Sequence, residues 1–100
     1  MAKMTGAQAI ARMLEDYGVT HIFHVPAILR RTMVELEAST SIKRVRTHGE
    51  KSAAYMADGY ARASRRPGIC MAQTVGALNL AAGLRDAWLA HSPGIALTGG

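Results

Sequence analysis

One cysteine, Cys70, stands among 100 residues, so no intrachain disulfide can form and the oxidised scaffolds of small secreted domains do not apply. It lies in an apolar segment without a basic neighbour in sequence and reads as a buried structural thiol rather than a reactive one. Prolines are few, three in all, and are scattered along the chain like the ten glycines; a linker or low-complexity tract is excluded. Apolar runs are short, none approaching the roughly 18–20 residues that cross a bilayer. The first five residues lack the charged start and continuous hydrophobic stretch of a signal peptide. The chain is therefore expected to be cytoplasmic, with no membrane partner.

Acidic residues are also scarce: seven, against 12 Lys and Arg, for a net charge of +5. The basic pairs Arg30-Arg31, Lys43-Arg44 and Arg65-Arg66 would tolerate an anionic partner. They are dispersed over several elements, however, with few aromatics and no zinc-finger or RNP pattern, and no nucleic-acid partner is expected. The histidines do not suggest a metal site. His21 and His24 point to opposite faces of an expected strand, while His48 and His91 lack Cys or His at ligand spacing.

What the chain does have is a regular change of hydrophobic period, the signature of an α/β fold with a parallel sheet flanked by helices on both faces. Thr5 can cap a helix with apolar positions Ala7, Ile10, Ala11, Leu14 and Tyr17, closed by Gly18. His21–Val25 reads as a strand stopped by Pro26. Helix over 28–38, strand over 42–46, helix over 50–64, strand over 69–73, helix over 76–91 and strand over 95–98 follow. Strands joined by helices collect ligands at their carboxyl ends. The turns Pro26-Ala27, Thr47-His48-Gly49 and Thr74-Val75 should then share one rim, provided their strands are neighbours. A fourth strand at the very end, with no helix after it, leaves the sheet thinly covered; the chain reads as the N-terminal portion of a single domain with exposed apolar surface.

Glu50 is the candidate functional residue, an acid at the mouth of a small-residue helix. Two readings compete. Thr47-His48-Gly49-Glu50 fits the S/T-x-x-E capping box, which would make Glu50 an ordinary helix cap; alternatively its carboxylate serves a site on the rim. Ala53, Ala57 and Ala61 make a small-residue face, and Leu80, Leu84 and Trp88 an apolar line, suited either to packing on their own sheet or to meeting a second subunit.

Glu50 followed eight residues later by Asp58-Gly59-Tyr60-Ala61-Arg62, then Pro67-Gly68 and a hydrophobic strand, Val75-Gly76-Ala77-Leu78-Asn79, Asp86-Ala87-Trp88 and a closing strand over 93–99, resembles the start of the thiamine-diphosphate-dependent enzymes of the acetolactate synthase and pyruvate decarboxylase superfamily. The resemblance covers nearly the whole chain. It implies the first part of a pyrimidine-binding domain, with Glu50 bonded to N1′ of the cofactor's aminopyrimidine as a proton relay. It also places Pro26, Thr74, Val75 and Asn79 along the pyrimidine pocket. The implied parent is an enzyme acting on a 2-oxo acid, a homodimer or homotetramer with the cofactor at the subunit interface. The family's Gly-Asp-Gly to Asn motif for Mg2+ and diphosphate is not among these residues, so this chain alone should not catalyse. FAD binding is left open.

The details depart from the synthase pattern. His24 precedes Val25-Pro26 and Ala27 follows where glycines are usual, Gln73-Thr74-Val75-Gly76 replaces Ser-Gly-Pro-Gly, and Gly49 stands where His commonly precedes the acid. Carboligation of the acetolactate synthase kind and simple 2-oxo acid decarboxylation both stay open. So does a different class, a non-catalytic α/β interaction module or split subunit.

Overall fold

A computed structural model describes residues 3–26 and 29–99; Ala27 of the first rim turn and the expected helix start at Ile28 lie outside the described residues. The chain order is α1 (Gly6–Asp16), β1 (His21–His24), α2 (Arg30–Ser39), β2 (Lys43–Arg46), α3 (Glu50–Ser64), β3 (Gly68–Ala72), α4 (Thr74–Asn79), α5 (Ala81–Leu89) and β4 (Gly94–Thr98). All strand pairs are parallel, in the order β2-β1-β3-β4.

Side chains alternate across the sheet as the pleat requires. Ile22, Ile69 and Met71 point to one face, where they meet Ala11 and Leu14 of α1 and Leu36 of α2. Phe23, Cys70 and Ala72 point to the other and meet Ala53, Ala54 and Ala57 of α3 together with Leu80. The β3 strand is buried along its whole length, as expected of an inner strand of a parallel sheet. Burial pushes the Cys70 thiol up to about 11, which keeps it protonated and inert near neutrality.

α1 begins with a capping box in which the Gln8 amide donates to Thr5 Oγ1 at 3.2 Å and the Thr5 amide donates to Gln8 Oε1 at 3.0 Å. Gly18, at φ 78°, closes it, with its amide bonded to the Glu15 carbonyl at 2.9 Å. Its buried stripe is narrower than the periodicity suggests. Ala11 and Leu14 are buried, whereas Ile10 is exposed and Tyr17 is 81% exposed, because the helix turns only one edge to α2 and the sheet.

The face of α3 formed by Ala53, Ala57 and Ala61 is buried within this chain. A Cβ on Gly68 would lie 2.0 Å from the Ala57 carbonyl oxygen, and one on Gly83 would lie 2.5 Å from Ala54 Cβ. Small residues thus let α3 sit directly on β3 and let α5 sit directly on α3. Arg62 of α3 ties these helices together, anchored on Asp58, whose side chain is only 5% exposed. It donates to both Asp58 oxygens, at 3.0 and 2.7 Å, and also reaches Asp86 of α5 at 3.6 Å. The guanidinium holds the Asp58 carboxyl below its ordinary range against the opposing effect of burial. Most of the Asp-Gly-Tyr-Ala-Arg run is accounted for by this clamp and by Ala61 in the core.

The single helix expected over 76–91 is two helices. At Leu80 the amide turns to the Ala77 carbonyl at 3.2 Å, a tighter three-residue closure. This break buries the Leu80 side chain completely and leaves Trp88, one residue from the end of α5, 74% exposed. The Leu80–Trp88 line therefore splits between core and surface.

Candidate functional site

Strand order decides where a ligand can sit. From β1 the chain crosses to β2 on one side and later to β3 on the other, and in open parallel sheets the crevice at the carboxyl ends of two such strands is where ligands bind. Here β1 ends at His24 and β3 at Ala72. An open hollow of about 420 Å³ lies there, lined by Val25, Pro26, Glu50, Gln73, Val75, Gly76 and Asn79. Two others, of about 430 and 490 Å³, lie along α1 and α2, and neither is lined by a strand-end residue.

Glu50 is the first residue of α3, and the residue capping that helix is Gly49, with no side-chain cap. The capping box anticipated from Thr47 does not form. Thr47 instead prolongs the ladder, its amide donating to the His24 carbonyl at 2.8 Å. Its buried hydroxyl lies 3.3 Å from that same carbonyl and donates to the Gly49 carbonyl at 2.9 Å. With Thr47 held by the sheet, Glu50 has no reciprocal partner at the helix start, and its side chain crosses to α4.

Two residues of α4 receive it. Asn79 donates through Nδ2 to Glu50 Oε2 at 3.3 Å. Gly76 is buried beneath the carboxyl group; a Cβ built there would fall 2.5 Å from Oε1 and 2.9 Å from Cδ and Cγ. The carboxylate therefore lies across a bare backbone position, steadied from one side by an amide. Val75 stands at the edge of the hollow, 79% exposed, and Pro26 closes it from the β1 side.

Of the residues singled out from the sequence, Pro26, Glu50, Val75 and Asn79 come together around this hollow. Thr74 turns elsewhere: its hydroxyl donates to the Gly99 carbonyl at 2.6 Å, linking the start of α4 to the end of β4. Sequence reasoning placed Val75 and Asn79 along the pocket but not Gly76, whose contact with Glu50 depends on α3 and α4 meeting over the end of β3.

His24, at the end of β1, is buried, and among the described residues its Nδ1 has no hydrogen-bond partner. Burial lowers its pKa, opposed by a backbone hydrogen bond at Val25 and reinforced by Arg44 and Arg46. It is a neutral imidazole under the rim at physiological pH. Among the described residues, no cluster of three or more His, Cys, Asp or Glu side chains could hold a metal ion, and no helix is long and apolar enough to cross a membrane.

Residues 4–100 match the family described as "Thiamine pyrophosphate enzyme, N-terminal TPP binding domain". A protein described as "Probable acetolactate synthase large subunit" from Methanocaldococcus jannaschii is 39% identical over 97 residues, covering 96% of this chain and 16% of that protein. The chloroplastic acetolactate synthase of Arabidopsis thaliana is 40% identical over 96 residues, 94% of this chain and 14% of that one. A "Probable 2-ketoarginine decarboxylase" from Pseudomonas aeruginosa is 35% identical over 91 residues, 90% of this chain and 16% of that one. The chain thus spans about one sixth of the length of these relatives. A parallel sheet with a carboxylate-bearing hollow at its switch point and a match over nearly every residue lead to one assignment: the chain belongs to the thiamine pyrophosphate enzyme family, in its N-terminal TPP binding domain.

Proposed function

We propose that this chain supplies the aminopyrimidine side of a thiamine-diphosphate site in an enzyme acting on a 2-oxo acid, with Glu50 as the acid that holds and passes a proton at N1′ of the ring. The observation that carries this reading is the freedom of Glu50 from its helix cap and its placement across Gly76 in the hollow between β1 and β3. The residues fit such a ring. Val25, Pro26 and Val75 offer apolar surface to a flat heterocycle, and the bare Cα of Gly76 leaves the carboxyl room at its edge. When bound, the cofactor would supply the carbon nucleophile for attack on the substrate carbonyl. This chain's part is to seat the pyrimidine, to keep the carboxyl oriented through Asn79 and to move the proton.

Two of the relatives quoted are described as acetolactate synthases, which favours carboligation after decarboxylation as the overall reaction. The decarboxylase relative and the Gln73-Thr74-Val75-Gly76 turn support plain decarboxylation as the alternative. Mg2+ and the diphosphate would be held by residues other than those described, in a homodimer or homotetramer whose interface takes in the exposed Val75 and Leu78. The proposed setting is the cytoplasm.

Glu50→Gln in the whole enzyme tests the reading. General acid–base catalysis contributes about 100- to 10,000-fold, and a loss of that size in turnover is expected with the fold intact by circular dichroism. Turnover within about threefold of the parent would refute the role of Glu50. Absence of any thiamine-diphosphate binding by the parent would favour an interaction module instead.

A further inference from the structure

We propose that Gly76 is a positioning residue: its lack of a side chain sets how far the Glu50 carboxylate reaches across α4 into the hollow, while Asn79 fixes its rotation. The inference rests on the proposed role of Glu50 and adds a determinant of it. Among the described residues three glycines lie in tight contacts, but they differ in what a Cβ would meet. At Gly68 and Gly83 the nearest atoms include the backbone of α3, whereas at Gly76 all three are the outer atoms of one side chain, Glu50 Oε1, Cδ and Cγ. A methyl group at 76 therefore has a single outlet, displacement of the carboxyl. To go from 2.5 Å to an ordinary contact of 3.4 Å, Oε1 must retreat by about 1 Å. A misplacement of about 1 Å at a reacting group costs about 100-fold in rate. The fold itself has no reason to suffer, since position 76 lies inside a helical turn, where alanine is favoured over glycine.

The Asn79 contact makes the displacement specific. Asn79 Nδ2 holds Oε2 at 3.3 Å, so the carboxyl is bounded by a donor on one oxygen and by the Gly76 backbone under the other. A methyl group lifts Oε1 away from that backbone and turns Oε2 from its donor. Shortening the acid by one methylene relieves the crowding, which gives the test its control.

The experiment uses Gly76→Ala, Glu50→Gln, Glu50→Asp and the double variant Gly76→Ala/Glu50→Asp in the complete enzyme. Three readouts apply: the melting temperature without cofactor, calorimetric binding of thiamine diphosphate with Mg2+, and quench-flow deuterium exchange at C2 of the bound cofactor. Gly76→Ala should melt at or above the parent, bind cofactor within about tenfold, and exchange about 100-fold more slowly. In the Glu50→Asp background the same substitution should slow exchange by less than about threefold, a non-additive cycle that marks direct coupling. Parental exchange in Gly76→Ala, or an equal penalty in both backgrounds, overturns the positioning role while leaving Glu50 intact. Parental exchange in Glu50→Gln removes the role of Glu50 and this inference with it. Should Gly76→Ala fail to fold, a Cβ at 76 has met the fold rather than a movable carboxyl, and the positioning role is overturned.

Discussion

Gly83→Ala and Gly59→Ala are the same chemical change on neighbouring helices and should move stability in opposite directions. At Gly59, in the middle of α3, a Cβ meets nothing within 4 Å. The substitution there gains only the helix propensity of alanine, about 0.5–1 kcal/mol. At Gly83 the Cβ would stand 2.5 Å from Ala54 Cβ, 2.9 Å from the Tyr55 amide nitrogen and 3.0 Å from the Ala54 carbonyl carbon. Two of these atoms are backbone and cannot swing aside, so α5 must move off α3 by about 1 Å to restore contact near 3.4 Å. Overpacking of this kind costs about 1–3 kcal/mol; set against the propensity gain, the net loss centres near about 1 kcal/mol. For a chain of this size that lowers the melting temperature by about 4–8 °C, with a smaller rise for Gly59→Ala. Thermal melts followed by circular dichroism at one protein concentration would measure both. A Gly83→Ala chain that melts no lower than the parent, or a Gly59→Ala chain that falls with it, would refute the claim that small residues set the α3–α5 distance.

Asn79→Ala removes the donor to Glu50 and should slow turnover of the complete enzyme about tenfold, in line with a hydrogen bond to a charged group in a partly open site; unchanged turnover would remove Asn79 from the site. Asp58→Asn should destabilise the fold with a dependence on pH. Arg62 depresses the folded-state value of Asp58, so its contribution is present above the ordinary carboxylate range of about 4 and is lost as pH falls through the depressed folded value. Urea midpoints of parent and variant should therefore differ at pH 7 and converge as pH falls through the depressed folded value of Asp58, and a gap constant across pH would contradict the clamp. Cys70, with its thiol pushed up to about 11 and buried in β3, should resist a thiol reagent at pH 8 until the chain is unfolded in urea. Rapid labelling of the native protein would count against its place in the core.

The rim was legible in the sequence because it follows from counting elements. Strands read to Val25, Arg46 and Gln73 with helices between them put Pro26, Glu50 and Val75 at one end of any parallel sheet. The capping pattern was legible in form but not in outcome. Thr5 and Gln8 close a reciprocal box, whereas Thr47, at the same spacing from Glu50, is drawn into the sheet by the His24 carbonyl. Local spacing cannot register that competition, because His24 lies on another strand. The break at Leu80 was hidden for a similar reason: the apolar spacing of residues 76–91 suits one continuous helix, and the kink that buries Leu80 goes with its packing against the α3 alanines and β3. Contact of Gly76 with Glu50 needs both facts, the failed cap and the short α4, before it can be foreseen.

The middle of the sheet is joined late in the chain. Ile22 of β1 has Ile69 of β3 as its neighbour, so a nascent chain that has made its first strand must wait for much of α3 and β3 before the central pair can form. At about 5–20 residues per second of synthesis, that interval is a few seconds, during which the apolar β1 lacks its inner partner. β2 reaches it first and carries Lys43, Arg44 and Arg46, charges that discourage a second nascent chain from pairing there. Because Gly76 and Asn79 come after β3, Glu50 leaves the ribosome well before the residues that receive it, and the hollow is completed among the last steps of folding this segment.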